Sequence, residues 1–252
     1  MEQTNEQIDK LWDSYFYPGT ITLKNKLKIE DYDELKKEEA EKSFERLVEL
    51  YENPIVGNFD KEHLKKIHKY IFQDVYDWAG EYRYVDMAKQ TTFTEHQNID
   101  HYLDDLFKTM HEELQLVKTK ERLAMFLATY YVHLIQIHPF REGNGRSTRE
   151  FFRELVEVKT KELMPVSYEI DWGKFDGDIF LENLDFIFAF RGAIEAEFMK
   201  ALIAVEPEYQ IKMWKNSHLF NQQKNHISVV IILNGGGCGI RTRDPLRAGQ
   251  VL

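Results

Sequence analysis

The chain has 252 residues, 43% of them hydrophobic and 13% aromatic, which is enough for a real core and argues against disorder along the full length. Its formal net charge of -10 argues against general nucleic-acid binding, which needs basic surface to neutralise phosphates, although a small anionic ligand feels only the local field. The single cysteine, Cys238, leaves no intramolecular disulfide, which fits a reducing compartment.

The opening "MEQTNEQIDK" has no basic n-region and no apolar h-region, so no signal peptide is expected and the reading is a cytoplasmic protein, with a secreted effector left open. The periodicity that follows is mostly helical. "DELKKEEAEKSFERLVELYE" places Leu35, Phe44, Leu47, Val48 and Tyr51 on one side, and Asn53-Pro54 ends it. "DKEHLKKIHKYIF" predicts a second helix with Asp60 as N-cap and Leu64, Ile67, His68, Ile71 and Phe72 on one face. "GEYRYVDMAKQTTFTEH" has no helical stripe. Its short alternation at Tyr82 and Tyr84 suggests a small hairpin or an extended flap, and an ordinary surface loop fits the local sequence equally well.

"NIDHYLDDLFKTMHEELQLV" aligns Ile99, Leu103, Leu106, Phe107, Met110 and Leu114 as another helix. "KERLAMFLATYYVHLIQI" is apolar nearly all round and reads as a central helix. A helix carrying Phe151, Phe152, Leu155 and Val156 comes next, and "LENLDFIFAFRGAIEAEFMKALIAV" predicts one or two more. After Val205 the pattern dissolves into a β-branched run too short to span a bilayer and a glycine-rich tail around Gly235–Gly237. Arg241, Arg243 and Arg247 give that tail a weak phosphate-binding look, without the strand and helix that such a loop needs.

The chemistry concentrates in "IHPFREGNGRSTREFF", Ile137–Phe152. Pro139 lacks an N–H and restricts its predecessor, so the central helix should stop at about His138. Gly143 and Gly145 permit a tight turn and close approach to a ligand, and good helix formers follow. The layout is helix, tight loop, helix N-terminus. The first amides of a helix have no internal partners and the dipole is positive there, so the amides of Gly143, Asn144 and Gly145 suit a phosphate. Arg146 and Arg149 can share a face and fork onto phosphate oxygens. Glu142 makes sense in this basic nest as a ligand for Mg²⁺, whose usual partners are a carboxylate, phosphates and water. His138 has an ordinary pKa near neutrality and can accept a proton. Each piece alone has a bland explanation: a structural histidine, a turn, solvent-facing arginines. Their conjunction is far harder to produce by accident.

His138-Pro139-Phe140-Arg141-Glu142-Gly143-Asn144-Gly145-Arg146-Ser147-Thr148-Arg149 matches HxFx(D/E)GNGRxxR, and the chain thereby resembles the Fic family. "YPGTITLKNKLKI" and "DWAGEYRYVDMAKQTTF" also look like Fic-domain sequence, which extends the resemblance over about residues 10–205. The resemblance implies a mainly α fold, a helical bundle with a small β-hairpin flap. It implies one Fic domain with an N-terminal extension over residues 1–205 and a poorly ordered tail over 206–252. The implied activity is protein adenylylation: AMP moves from ATP to a Tyr, Ser or Thr hydroxyl of a target protein and pyrophosphate leaves. By position, His138 would be the general base and Glu142 would hold Mg²⁺. Gly143, Asn144 and Gly145 would form the anion hole, with the Asn144 side chain also on phosphate. Arg146 and Arg149 would neutralise the β- and γ-phosphates, and Phe140 would lock the loop into the core. The flap residues Asp86, Met87, Ala88, Lys89, Gln90, Thr91, Thr92 and Phe93 would align the target backbone by strand addition. Arg141 occupies a variable position and is given no catalytic role.

Other Fic relatives transfer phosphate, UMP or phosphocholine; retention of Gly143 and Gly145 favours nucleotidyl transfer. A non-catalytic nucleotide-binding module is the alternative from another class, and retention of His138 speaks against it. A zinc hydrolase is disfavoured because no HExxH occurs and His133, His138, His63 and His68 have the wrong spacing. Many Fic proteins are silenced by a glutamate from an (S/T)xxxE(G/N) helix. Glu182-Asn183 and Glu52-Asn53 both lack the Ser or Thr, so no inhibitory helix is expected in the chain, and a small antitoxin is expected to supply the glutamate in trans. No nucleic-acid or membrane partner is expected.

Overall fold

The computed structural model describes residues 10–88, 92–177 and 191–205. The described residues are mainly helical: α1 (Tyr32–Glu52), α2 (Lys61–Phe72), α3 (Ile99–Leu114), α4 (Lys120–Ile137), α5 (Asn144–Leu163), β1 (Ser167–Ile170), α6 (Arg191–Ala201) and β2 (Leu202–Val205). They fall into two compact units. One contains the described residues up to Leu103 together with Gln136–Ser147; the other contains Asp104–Ile135 and the described residues from Thr148 to Val205. The expected tail, 206–252, and the candidate glutamate Glu182 lie outside the described residues.

In the first unit, local chemistry starts and stops the helices where the sequence says. The Asp31 carboxylate accepts from the Glu34 N–H and opens α1, and Asn53 caps its end. The Asp60 carboxylate accepts from the His63 N–H at 2.8 Å and opens α2. The buried face of α2 is His63, Leu64, Ile67, His68, Ile71 and Phe72, as its 3.6-residue period requires. The stripe on α1 differs from expectation. Leu35, Glu39, Ser43, Leu47 and Leu50 are buried, while Phe44, Val48 and Tyr51 are only half-buried. A glutamate and a serine are accepted on the inner face because they have polar partners there, described below.

The segment before α1 folds back on itself through Pro18-Gly19, with Gly19 at φ 74° and a single bridge between Phe16 and Leu23. Residues 81–88 and 92–94 are outside any helix and carry one bridge, Ala88 to Thr92; Lys89, Gln90 and Thr91 lie outside the described residues.

The second unit packs Phe107, Met110, Leu123, Leu127, Tyr131, Phe151, Phe152 and Leu155 as its core. Tyr131, Trp172, Phe175 and Phe198 form an aromatic cluster at ring separations of 4.9–6.0 Å. β1 and β2 pair antiparallel from Ser167↔Val205 to Ile170↔Leu202. The helix expected to run through Val205 therefore stops at Ala201. Its last residues, Leu202–Val205, find a ladder partner in "SYEI", and that long-range pairing overrides local helical propensity. Among the described residues, no helix is long and apolar enough to cross a membrane.

Candidate functional site

The motif loop joins the end of α4 to the start of α5, and His138 through Ser147 lie in the first unit. α4 ends at Ile137, one residue before the proline-imposed limit, and His138 takes a left-handed backbone with φ 50°. That conformation is uncommon for a residue with a side chain and reverses the chain into the loop. The half-buried His138 imidazole stacks on the Phe93 ring at 3.9 Å and 6°. The expected flap thus reaches the expected base through a ring contact.

Phe140 is buried, as a loop anchor should be, and its ring stacks on His68 at 3.8 Å. Asn144 closes the turn. Its Oδ1 accepts from the Phe140 N–H at 2.9 Å, and its Nδ2 donates to the Phe140 carbonyl at 2.7 Å. The side chain expected on phosphate is therefore already engaged on both polar atoms, and Asn144 shapes the loop. Gly143 has φ 82°, and a Cβ there would lie 2.2 Å from the Phe72 ring, so both conformation and space demand glycine.

His68 holds the loop from below. The Gly80 N–H donates to His68 Nδ1 at 2.8 Å, which fixes the proton on Nε2; that N–H donates to the Glu142 carbonyl at 2.9 Å. Burial depresses the His68 pKa to about 3, with Arg146 adding to the effect, so the ring is neutral.

The Glu142 carboxylate accepts from the Gly143 N–H at 2.9 Å and lies 3.7 Å from Arg146. Burial pushes its pKa above the ordinary carboxylate range, Glu39 pushes it further, and Arg146 opposes both. One carboxylate at the mouth of a phosphate-type loop suits Mg²⁺, which keeps waters and substrate oxygens as its remaining ligands. Among the described residues, no group of three or more His, Cys, Asp or Glu gathers as an all-protein metal cage.

Sequence reasoning missed the surroundings of Arg146. Its guanidinium donates to Glu39 Oε1 and, at 2.8 Å, to Ser43 Oγ, both on α1, and lies over the Phe72 ring at 4.6 Å. Tyr76 also donates its hydroxyl to Glu39. Glu39, Ser43 and Arg146 thus form a buried polar group that explains the polar inner stripe of α1. Arg149 follows three residues along α5 and belongs to the second unit. Arg141 is also buried. Its guanidinium is enclosed by Trp12, Tyr15 and Phe16 at 4.7, 5.3 and 5.1 Å, and among the described residues neither Nε nor Nη1 has a hydrogen-bond partner. The i, i+3, i+4 spacing of Trp12, Tyr15 and Phe16 in "LWDSYFY" was the available signal for this cage.

The sequence profile of the Fic/DOC family matches residues 58–156. The protein adenylyltransferase VbhT of Bartonella schoenbuchensis is 36% identical over 166 residues, 65% of this chain and 33% of that protein. The probable protein adenylyltransferase Fic of Escherichia coli is 32% identical over 162 residues, 64% of this chain and 76% of that protein. The chain thus spans about a third of the first relative's length and about three quarters of the second's. Among solved structures, the N-terminal Fic domain of a Bartonella effector protein from Bartonella sp. AR 15-3 superposes with a TM-score of 0.67. Its identity is 25%, and the match covers 79% of this chain and 94% of that one. The BepC protein of Bartonella tribocorum, solved with bound AMPPNP, gives a TM-score of 0.66 at 22% identity, covering 77% and 98%. Motif, helical architecture and relatives agree, and the chain belongs to the Fic/DOC family.

Proposed function

We propose that the chain is a protein adenylyltransferase that moves AMP from ATP to a Tyr, Ser or Thr hydroxyl of a target protein, with the Ile137–Ser147 loop at its centre. The observation that carries this reading is the loop's geometry. A histidine just past the end of one helix and the amides at the start of the next flank one short loop, which Asn144, His68 and Phe72 hold in shape. Relatives about a third identical to it over the 162–166 aligned residues carry this activity in their names.

His138 takes the proton of the target hydroxyl. The hydroxyl oxygen bonds to the α-phosphorus of ATP, the bond from that phosphorus to the bridging oxygen breaks, and pyrophosphate leaves. Reactions of this type need positioning and charge stabilisation more than covalent help from the protein. The amides of Asn144 and Gly145 would meet the phosphates at the α5 N-terminus, and that of Gly143, which donates to the Glu142 carboxylate in the structure, would exchange this partner for a phosphate oxygen. Glu142 would hold Mg²⁺, which supplies charge neutralisation at the α- and β-phosphates. Arg149 acts on the outer phosphates. Arg146 shares its charge with Glu39 and contributes less than its motif position suggests. Residues 86–93 align the target chain.

Labelled ATP and a cell lysate test the reading. Label in the α-position should pass to a protein and label in the γ-position should not; transfer of γ-label instead would make the chain a phosphotransferase. His138→Ala should lower transfer by about 10²–10⁴-fold and leave ATP binding in place. Undiminished labelling would remove His138 from the mechanism.

The proposed partners are the target protein and a small antitoxin that supplies an inhibitory glutamate to Arg149. The glutamate seen in the chain, Glu39, engages the other motif arginine, Arg146. If the isolated chain were inactive and Glu39→Gly, or any other glutamate-to-glycine change within it, released activity, the brake would be internal and the antitoxin unnecessary.

A further inference from the structure

We propose that Arg83 is a positioning residue for the general base, holding His138 and the target-aligning segment on one guanidinium; this rests on the reading of His138 as that base.

The end of α4 poses a problem. The last carbonyls of a helix have no partner within it. Pro139 brings no N–H to the turn, and His138 is held at φ 50°, a conformation that costs about 1–3 kcal/mol and persists only where the surroundings impose it. Arg83 imposes it. Its Nε donates to the His138 carbonyl at 2.8 Å and its Nη2 to the Ile137 carbonyl at 3.2 Å, while its own backbone N–H donates to the Pro139 carbonyl at 2.9 Å. Three consecutive carbonyls of the reversal therefore rest on one residue.

The other side of the fork faces the flap. Nη1 donates to the Val85 carbonyl at 2.7 Å and Nη2 to the Thr94 carbonyl, the two residues that bracket 86–93. The Thr94 N–H returns a bond to the Gln136 carbonyl at 3.2 Å, and Phe93 stacks on the imidazole. The backbone of His138 and the ring lying against its imidazole thus hang from the same planar group.

The arrangement is costly for a mere tie. Arg83 is 2% exposed, and its nearest carboxylate, Asp86, stands 4.0 Å away with Oδ1 engaged by the His96 N–H and Nδ1. Burying a cation among carbonyls is expensive unless its hydrogen bonds are well made. Only a guanidinium spans these acceptors from fixed directions. A lysine ammonium is one point on a flexible stem and cannot reach both sides at once. Phosphate-facing groups rest on other residues, His68, Asn144 and Glu39, so the loss of Arg83 should reach the base and spare the nucleotide.

Arg83→Lys tests this, with Arg83→Gln as the second variant. The acceptor is the lysate protein that the wild-type chain labels, and AMPPNP with Mg²⁺ is the binding probe. The expected result is a fall in kcat of about 10–100-fold, as for a reacting group displaced by about an ångström, with AMPPNP affinity within about threefold of wild type. Proton NMR of the His138 ring gives a readout independent of activity. The Phe93 stack shifts the ring resonances, Phe93→Leu marks the unstacked position, and both Arg83 variants should move toward it. Unchanged kcat and unchanged resonances would overturn the proposal. So would a parallel loss of kcat and AMPPNP affinity, or failure of both variants to fold, either of which makes Arg83 an ordinary core residue. A wild-type chain that transfers no AMP while the resonances shift as expected would refute the functional reading and leave the positioning intact.

Discussion

The two ends of the motif loop are secured by different physics. At the entry, Ile137 to Phe140, backbone carbonyls rest on a buried cation that meets no carboxylate within hydrogen-bond distance, and a ring stack covers the histidine. At the exit, Glu142 to Ser147, opposite charges meet: Arg146 with Glu39, Glu142 nearby, and a neutral histidine beneath. The entry holds one shape irrespective of proton or ion. The exit has charges that a Mg–nucleotide can redistribute. Under the proposed function, the end that orients the base is built from fixed bonds, and the end that receives phosphates is built from groups able to exchange partners.

The largest effect that would break this contrast is at the exit. Gly143→Ala drives a Cβ into the Phe72 ring and opposes the positive φ, so AMP transfer should fall by about 10²–10³-fold, the range for losing an oxyanion-type donor. Activity close to wild type would mean the loop is not the anion site. Next comes the ion pair. Glu39→Ala strands Arg146 and should lower stability to urea by about 2–3 kcal/mol, somewhat under the figure for a fully buried pair because both side chains keep some exposure. Glu39→Gln keeps an acceptor and should lose less; equal losses would show that packing, not charge, matters at this position.

The acid limb of stability sharpens the contrast further. The His68 ring titrates at about 3 in the fold and at 6.5 when free, so the unfolded chain takes up a proton that the folded chain refuses. Its contribution is complete above about pH 6.5 and drains away as the pH falls toward 3. At pH 5 about 2 kcal/mol should be gone. In urea titrations with a chelator present, His68→Gln should flatten the slope between pH 7 and 5, and an unchanged slope would place the ionisation elsewhere. The smallest effect serves as a control on α2, which carries His68 and Phe72. Asp60→Ala removes an N-cap and should cost about 1 kcal/mol without altering that pH slope.

What the sequence made legible follows the range of the forces involved. The motif was readable because proline, glycine and a helix start impose their geometry within a few residues. Asp60 and Asn53 were readable for the same reason. Glu39 and Ser43 were not, because a glutamate in a highly charged helix looks solvent-facing until Arg146 arrives from far along the chain. Arg83 was passed over in a loop where its value comes from carbonyls at positions 137 and 138. β2 was read as helix because four apolar residues carry too little period to declare a strand, and their partner Ser167–Ile170 lies across a long stretch of chain.

The aromatic cage around Arg141 bears on how such domains can be recombined. The motif leaves that position open, yet here it is fastened to Trp12, Tyr15 and Phe16. A chimaera that grafts the signature of a relative onto this scaffold, with a small or acidic residue at 141, would leave three rings facing a void or an unwelcome charge. The amino-terminal segment and the unassigned letter of the motif therefore form one transplantable module, to be exchanged together or not at all.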